Sequence, residues 1–153
     1  KELKFDKIVT GHNLDDEAQA ILMNFFRNTM GLQSRLGPLS GNIINAHFIP
    51  RIKPLYFCLE SDVKKYSQLM KFEVLYERCP CIRDSFRNKV RNILNSLDSC
   101  ETVKQNIVKN FLKMLPLIKI TNKLSGDILS CSRCGEPANS SICNTCHILE
   151  RLK

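Results

Sequence analysis

Between Leu14 and Phe26 the apolar residues Ala18, Ile21, Leu22 and Phe25 recur at helical spacing. The run before it, Lys4 to Thr10 (KFDKIVT), has Phe5, Ile8 and Val9 as its apolar members and predicts a short strand. Gly11-His12-Asn13 separates the two patterns. Asn13 suits a helix N-cap, and Asp16 stands three residues on, in the capping-box position. Asp15, Asp16 and Glu17 place negative charge in the first turn, as the helix dipole favours. The chain therefore opens with strand, tight turn and helix. In an open parallel sheet such a turn lies at the C-terminal edge of a strand, where ligands bind.

Further along, Thr29 to Gly41 is rich in Gly, Pro and Ser and predicts a loop, and Asn42 to Ile49 a second strand. Pro50-Arg51-Ile52-Lys53-Pro54 predicts an extended connector, because each proline biases its predecessor away from helix. Glu60 to Lys71 predicts a helix with Val63, Tyr66 and Met70 on one side, and Phe72 to Tyr76 a short strand. Arg83 to Leu97 predicts a helix with Phe86, Val90, Ile93, Leu94 and Leu97 inward. Thr102 to Leu115 predicts another, stopped near Pro116. Thr121 to Asp127 is polar, contains Gly126 and predicts a linker. The chain shows no internal repeat.

The 153 residues are 43% hydrophobic and 25% charged, enough to bury a core, and long enough for one domain with a small appendage. No apolar run approaches the roughly 18 residues of a membrane span. The chain begins at Lys1 without an initiator Met or a signal peptide, which leads us to expect a fragment or a subunit. A formal charge of +8, from 23 Lys+Arg against 15 Asp+Glu, suits a polyanion such as RNA. A solvated lysine-rich surface explains it equally well. Arg83, Arg87 and Arg91 repeat every four residues as a basic stripe, and Lys109 and Lys113 do so on the next helix. Such stripes pair with phosphates or simply face water.

Eight cysteines change the picture further. Cys131, Cys134, Cys143 and Cys146 form two C-x2-C pairs, a metal-ligand spacing that implies a reducing compartment. One tight turn delivers both sulfurs of a pair, and zinc prefers four tetrahedral soft ligands. Gly135 follows the first pair, where a knuckle needs permissive backbone angles. The loop is too small for a hydrophobic core, so metal must supply its folding energy. Four sulfurs leave no open coordination position, which points to a structural role. An iron site or two disulfides are the alternatives, and the adjacent His147 is read as a solvated neighbour. Cys58 and Cys100 are read as small buried hydrophobes.

At the Gly11 turn, glycine lets a nucleotide approach the backbone, and the carboxylates behind it can hold a metal ion or steer a polar substrate. The plain alternative is that Asn13 and Asp16 only cap the helix. Here TGHNLDDEAQAILMNFFRN resembles the second signature of the PP-loop tRNA thiolases, the TtuA/TtcA and cytoplasmic tRNA 2-thiolation family. Arg51-Ile52-Lys53-Pro54-Leu55 resembles that family's RIKPL segment, and Glu77-Arg78-Cys79-Pro80 its Cys-Pro element. The terminal C-x2-CGEP-x5-C-x2-C resembles its C-terminal zinc finger.

The resemblance implies an α/β fold: the C-terminal part of a PP-loop parallel sheet with helices over residues 1–98, a helical segment and linker over 99–127, and a zinc finger over 128–153. It implies a cytoplasmic tRNA sulfurtransferase that uses ATP with Mg2+ to adenylate a uridine C2 oxygen, and then sulfur to make 2-thiouridine. Gly11 matches a backbone position on ATP, Asp16 an acidic catalytic residue, and Cys79 one of three ligands of a [4Fe-4S] cluster. Cys131, Cys134, Cys143 and Cys146 match zinc ligands. The implied partners are tRNA and a ubiquitin-like sulfur carrier. The oligomeric state stays open, a homodimer included. The family's S-G-G-x-D-S phosphate loop and C-x2-C cluster pair are not in this sequence. We therefore expect the isolated chain to be inactive, or a zinc-stapled RNA-binding module. Asn28 replaces the usual glycine after the helix, and Cys81 stands beside the Cys-Pro element.

Overall fold

A computed structural model of the chain describes residues 5–40, 49–77, 85–97, 102–122, 129–138 and 140–152. Strand β1 (Ile8–Val9) leads through the Gly11 turn into helix α1 (Leu14–Phe26), as the hydrophobic pattern predicts. The expected 29–41 loop contains a four-residue helix, α2 (Met30–Gln33), and strand β2 (Leu39–Ser40). Strand β3 (Arg51–Ile52) lies inside the proline-flanked connector. The flanking prolines leave Arg51 and Ile52 free to pair. Ile8 N–H donates to Pro50 O at 2.9 Å and Thr10 N–H to Ile52 O at 3.0 Å. The sheet has the order β1-β3-β2, with β1 parallel and β2 antiparallel to β3. The strand expected at 42–49 lies almost wholly outside the described residues.

Helices α3 (Glu60–Leu69), α4 (Phe86–Leu97) and α5 (Thr102–Thr121) complete this part. One core joins Leu14, Ala18 and Ile21 of α1 to Val90 and Leu94 of α4 and to Val108, Phe111, Leu115 and Ile118 of α5, with Tyr56 and Leu59 between. Helix α5 runs through Pro116 instead of stopping there. Its last turns bury Ile118 on the face of Leu115 and Phe111, and that packing outweighs the hydrogen bond the proline removes. On α4 only part of the expected apolar face turns inward: Val90 and Leu94 are buried, whereas Ile93 and Leu97 are exposed. Tyr66 and Met70 of α3 and Phe25 of α1 are exposed as well.

Residues 72–76 do not form the predicted strand. Val74 N–H donates to Phe72 O two residues back, a turn that breaks the extended ladder geometry. Tyr76 is held by Ser67, hydroxyl to hydroxyl at 2.5 Å.

The cysteine-rich module comprises the antiparallel pair β4 (Leu129–Ser130) and β5 (Pro137–Ala138), followed by helix α6 (Asn144–Arg151). Gly135 has φ +72°, the left-handed conformation the knuckle requires. Among the described residues no helix is long and apolar enough to cross a membrane.

Candidate functional site: an acidic helix start and a four-thiol centre

The first turn of α1 is an electrostatic hub. Its capping box is complete: Asn13 Oδ1 accepts from Asp16 N–H at 3.0 Å, and Asp16 Oδ2 accepts from Asn13 N–H at 3.3 Å. The three consecutive acids reach different parts of the fold. Asp15 is buried; its Oδ2 accepts the Glu60 N–H at 2.8 Å, and its Oδ1 meets Lys104 Nζ at 2.8 Å. It thereby caps α3, whose own N-cap Leu59 offers no side-chain acceptor. Glu17 is buried and meets Lys53 Nζ at 2.6 Å. Tyr56 lies in the same buried region; burial first, then the Glu17 carboxylate, push its hydroxyl pKa above the usual tyrosine range. Asp16 stays partly open, with 24% of its side chain exposed, and its Oδ1 lies 3.4 Å from Arg87 Nη1.

Gly11 and His12 are exposed beside this hub. A Cβ at Gly11 would enter open space, and its φ is not in the left-handed region. The fold itself therefore does not require glycine at that position. Thr10 Oγ1, at the end of the strand, is buried with no hydrogen-bond partner among the described residues.

Arg87 turns to Asp16, and Arg91 to Glu60 at 3.7 Å, so both meet protein carboxylates. Lys109 and Lys113 on α5 are exposed. Arg83, Cys79, Cys81 and Cys100 lie outside the described residues. Cys58 is half-buried, and its carbonyl accepts the Leu14 N–H at 2.9 Å.

In the second centre the Sγ atoms of Cys131, Cys134, Cys143 and Cys146 all lie within 4.8 Å of one another. Cys131 and Cys146 are 3.9 Å apart and Cys134 and Cys143 3.7 Å, so none of the four is in a disulfide. Four thiolates around one tetrahedral ion with bonds of about 2.3 Å stand about 3.8 Å apart, so the set fits a single such ion. Backbone hydrogen bonds from Cys143, Cys134 and Arg133 lower the Cys131 thiol to about 6. Hydrogen bonding to Cys143 and burial push Cys146 up to about 12. Cys131 is thereby poised as a thiolate for a metal ion, whereas Cys146 gives up its proton on binding. The Cys143 sulfur also caps α6, accepting from Cys146 N–H at 3.4 Å. His147 stands aside from the sulfurs, its Nδ1 3.7 Å from Glu150 Oε2.

Sequence reasoning missed three members of the hub, Lys53, Arg87 and Lys104. Lys53 stood unremarked within the RIKPL segment, Lys104 was not singled out, and Arg87 was read only as part of a stripe that pairs with phosphates or faces water. The proline-bracketed lysine and the acid triplet were both visible, but their pairing spans 36 residues and needs the fold.

No protein-family model matches the chain. It is 29% identical over 160 residues to the tRNA 2-thiolation protein NcsA of Haloferax volcanii, covering 99% of this chain and 50% of that one. It is 33% identical over 143 residues to the tRNA-5-methyluridine(54) 2-sulfurtransferase of Pyrococcus horikoshii, covering 93% of this chain and 45% of that one. Its fold matches the U34-tRNA thiolase NcsA from Methanococcus maripaludis, solved with its [4Fe-4S] cluster, at a TM-score of 0.67 and 30% identity, over 88% of this chain and 44% of that one. The chain belongs with the tRNA 2-thiolation proteins. It matches the C-terminal portion of these relatives and spans half of their length or less.

The strand–turn–helix, the parallel β1–β3 pair and the terminal four-thiol centre follow one another along this chain.

Proposed function

We propose that this chain forms part of an ATP-dependent tRNA sulfurtransferase, acting with the portion of the relatives' length that it does not match. In that reaction the uridine C2 oxygen attacks the α-phosphorus of ATP and pyrophosphate leaves. Sulfur then attacks C2, and AMP departs with the oxygen. ATP with Mg2+, and a [4Fe-4S] cluster with Cys79 among its ligands, are the cofactors of this reading. A ubiquitin-like sulfur carrier and tRNA are its partners, in the cytoplasm, with a homodimer as one assembly.

The observation that carries the reading is the division of labour among the three acids. Asp15 and Glu17 are buried and committed to lysines, whereas Asp16 keeps solvent access at the mouth of the turn. A carboxylate there orients a nucleotide-bound cation or accepts a proton as the uridine reacts. The open space at Gly11 supports approach of the nucleotide to the backbone. Residues 1–98 act as the ATP-binding part in this reading, residues 99–127 complete its core and link it onward, and residues 128–153 form the metal module.

The four-thiol centre is assigned to zinc with a structural role. Four sulfurs this close suit one ion, whereas a cluster spreads its thiolates over separate irons. The module buries little else: Cys131 is its buried residue among those described.

The test uses the protein containing this chain together with the other half of the relatives' length. Asp16→Asn is expected to lower 2-thiouridine formation by on the order of 10²–10⁴-fold, measured by nucleoside mass spectrometry, with the melting temperature kept. Cys79→Ala is expected to remove cluster absorbance and thiolation while zinc content stays. Full thiolation in either variant overturns the assignment of that residue, and in both it leaves a zinc-stapled RNA-binding module.

A further inference from the structure

We propose that Arg87 is a positioning residue, which holds Oδ1 of Asp16 and so couples the start of α4 to the nucleotide turn. The inference rests on the catalytic reading of Asp16. The first two residues of α4 reach both ends of α1. Arg87 Nη1 lies 3.4 Å from Asp16 Oδ1 at the N-terminal end. At the other end the Phe86 ring meets Phe26 edge-on, with centroids 6.5 Å apart, and the Arg27 guanidinium lies 4.6 Å over it. Helix α4 is thus seated along α1 by Phe86, whether or not Arg87 is present.

The arginine–aspartate contact contributes little to holding the fold. Both groups are partly solvated, with 45% and 24% of their side chains exposed, and the contact is long for a charge-assisted bond. Asp16 Oδ2 is already fixed by the capping box, so Arg87 acts on the remaining oxygen. With one oxygen held by the backbone and the other by a guanidinium, the carboxylate plane is set. A catalytic acid or base depends on that kind of orientation. In sequence Arg87 follows Cys79 by eight residues. The same side chain therefore ties the chain segment after the thiol to the turn that bears the carboxylate.

The test compares Arg87→Met, Arg87→Lys, Asp16→Asn and the Asp16→Asn/Arg87→Met double variant. Each is made in the protein that carries this chain with the other half of the relatives' length. Thiolation kcat, KM for ATP and melting temperature are measured for each. Arg87→Met is expected to lower kcat about tenfold and leave KM within about twofold. Melting should stay unchanged, and Arg87→Lys should recover most of the rate. The double variant should be no slower than Asp16→Asn. A kcat for Arg87→Met equal to wild type, a loss that follows melting temperature, or a double variant slower by the product of the single effects overturns the positioning role and leaves the Asp16 assignment intact. An Asp16→Asn variant that keeps the wild-type rate overturns the catalytic reading itself. If Arg87→Met does not fold, Arg87→Gln removes the same charge and is read against Arg87→Lys in the same way.

Discussion

At the residue scale, the chemistry turns on how neighbouring side chains of one type are used differently. Asp15, Asp16 and Glu17 look equivalent in sequence, as three acids in a helix's first turn. Direction separates them: adjacent helical positions point about a hundred degrees apart, so each meets a different part of the fold. Gly11 is the complementary case, since nothing in the fold demands it. Gly11→Ala is expected to change unfolding free energy by less than about 1 kcal/mol. In the assembled protein it should weaken ATP binding, as read by calorimetry beside a urea melt. Unchanged ATP affinity would count against the turn as the nucleotide contact. Asn13→Ala removes a real cap and is expected to cost about 1 kcal/mol in the same melt.

At the element scale, the ion pair between Glu17 of α1 and Lys53, the residue that follows β3, anchors the helix start beside the sheet. Lys53 and Glu17 are nearly excluded from water, with side-chain exposures of 11% and 2%. Removing one partner leaves a buried charge uncompensated, which costs about 3–5 kcal/mol. Lys53→Met is expected to destabilise by that order. The Glu17→Gln/Lys53→Met double variant should recover part of the loss, measured by denaturant unfolding. Full additivity of the two single effects would show that the pair does not act as a unit. Helix α5 teaches a related lesson about elements. Pro116 argued for a stop after Leu115, yet burial of Ile118 extends the helix to Thr121. The Phe72–Tyr76 run shows the reverse: β-type composition with no ladder formed, because the chain turns at Val74.

At the scale of the whole molecule, the chain has two kinds of stabilisation. Residues around α1, α4 and α5 share an apolar core, whereas residues 129–152 depend on four thiols. A strong chelator is therefore expected to unfold the terminal module and expose four titratable thiols, while most helical circular dichroism remains. Retention of the module's amide exchange protection after complete metal removal would refute the metal's folding role.

Much of this was legible before any coordinates. The strand–turn–helix, the capping box and the four ligands of the terminal centre are local: each is written in residues close in sequence, with a spacing that has few geometric solutions. The sequence by itself thus determined the turn, the cap, the thiol set and the resemblance to the tRNA thiolases. Tertiary structure decided the rest: which acid stays open to solvent, that Lys53 answers Glu17, that Arg87 turns to Asp16, and which half of the apolar face of α4 is buried. Those outcomes join residues 36 or 71 positions apart, and only packing brings such groups within the few ångströms over which ion pairs and burial act.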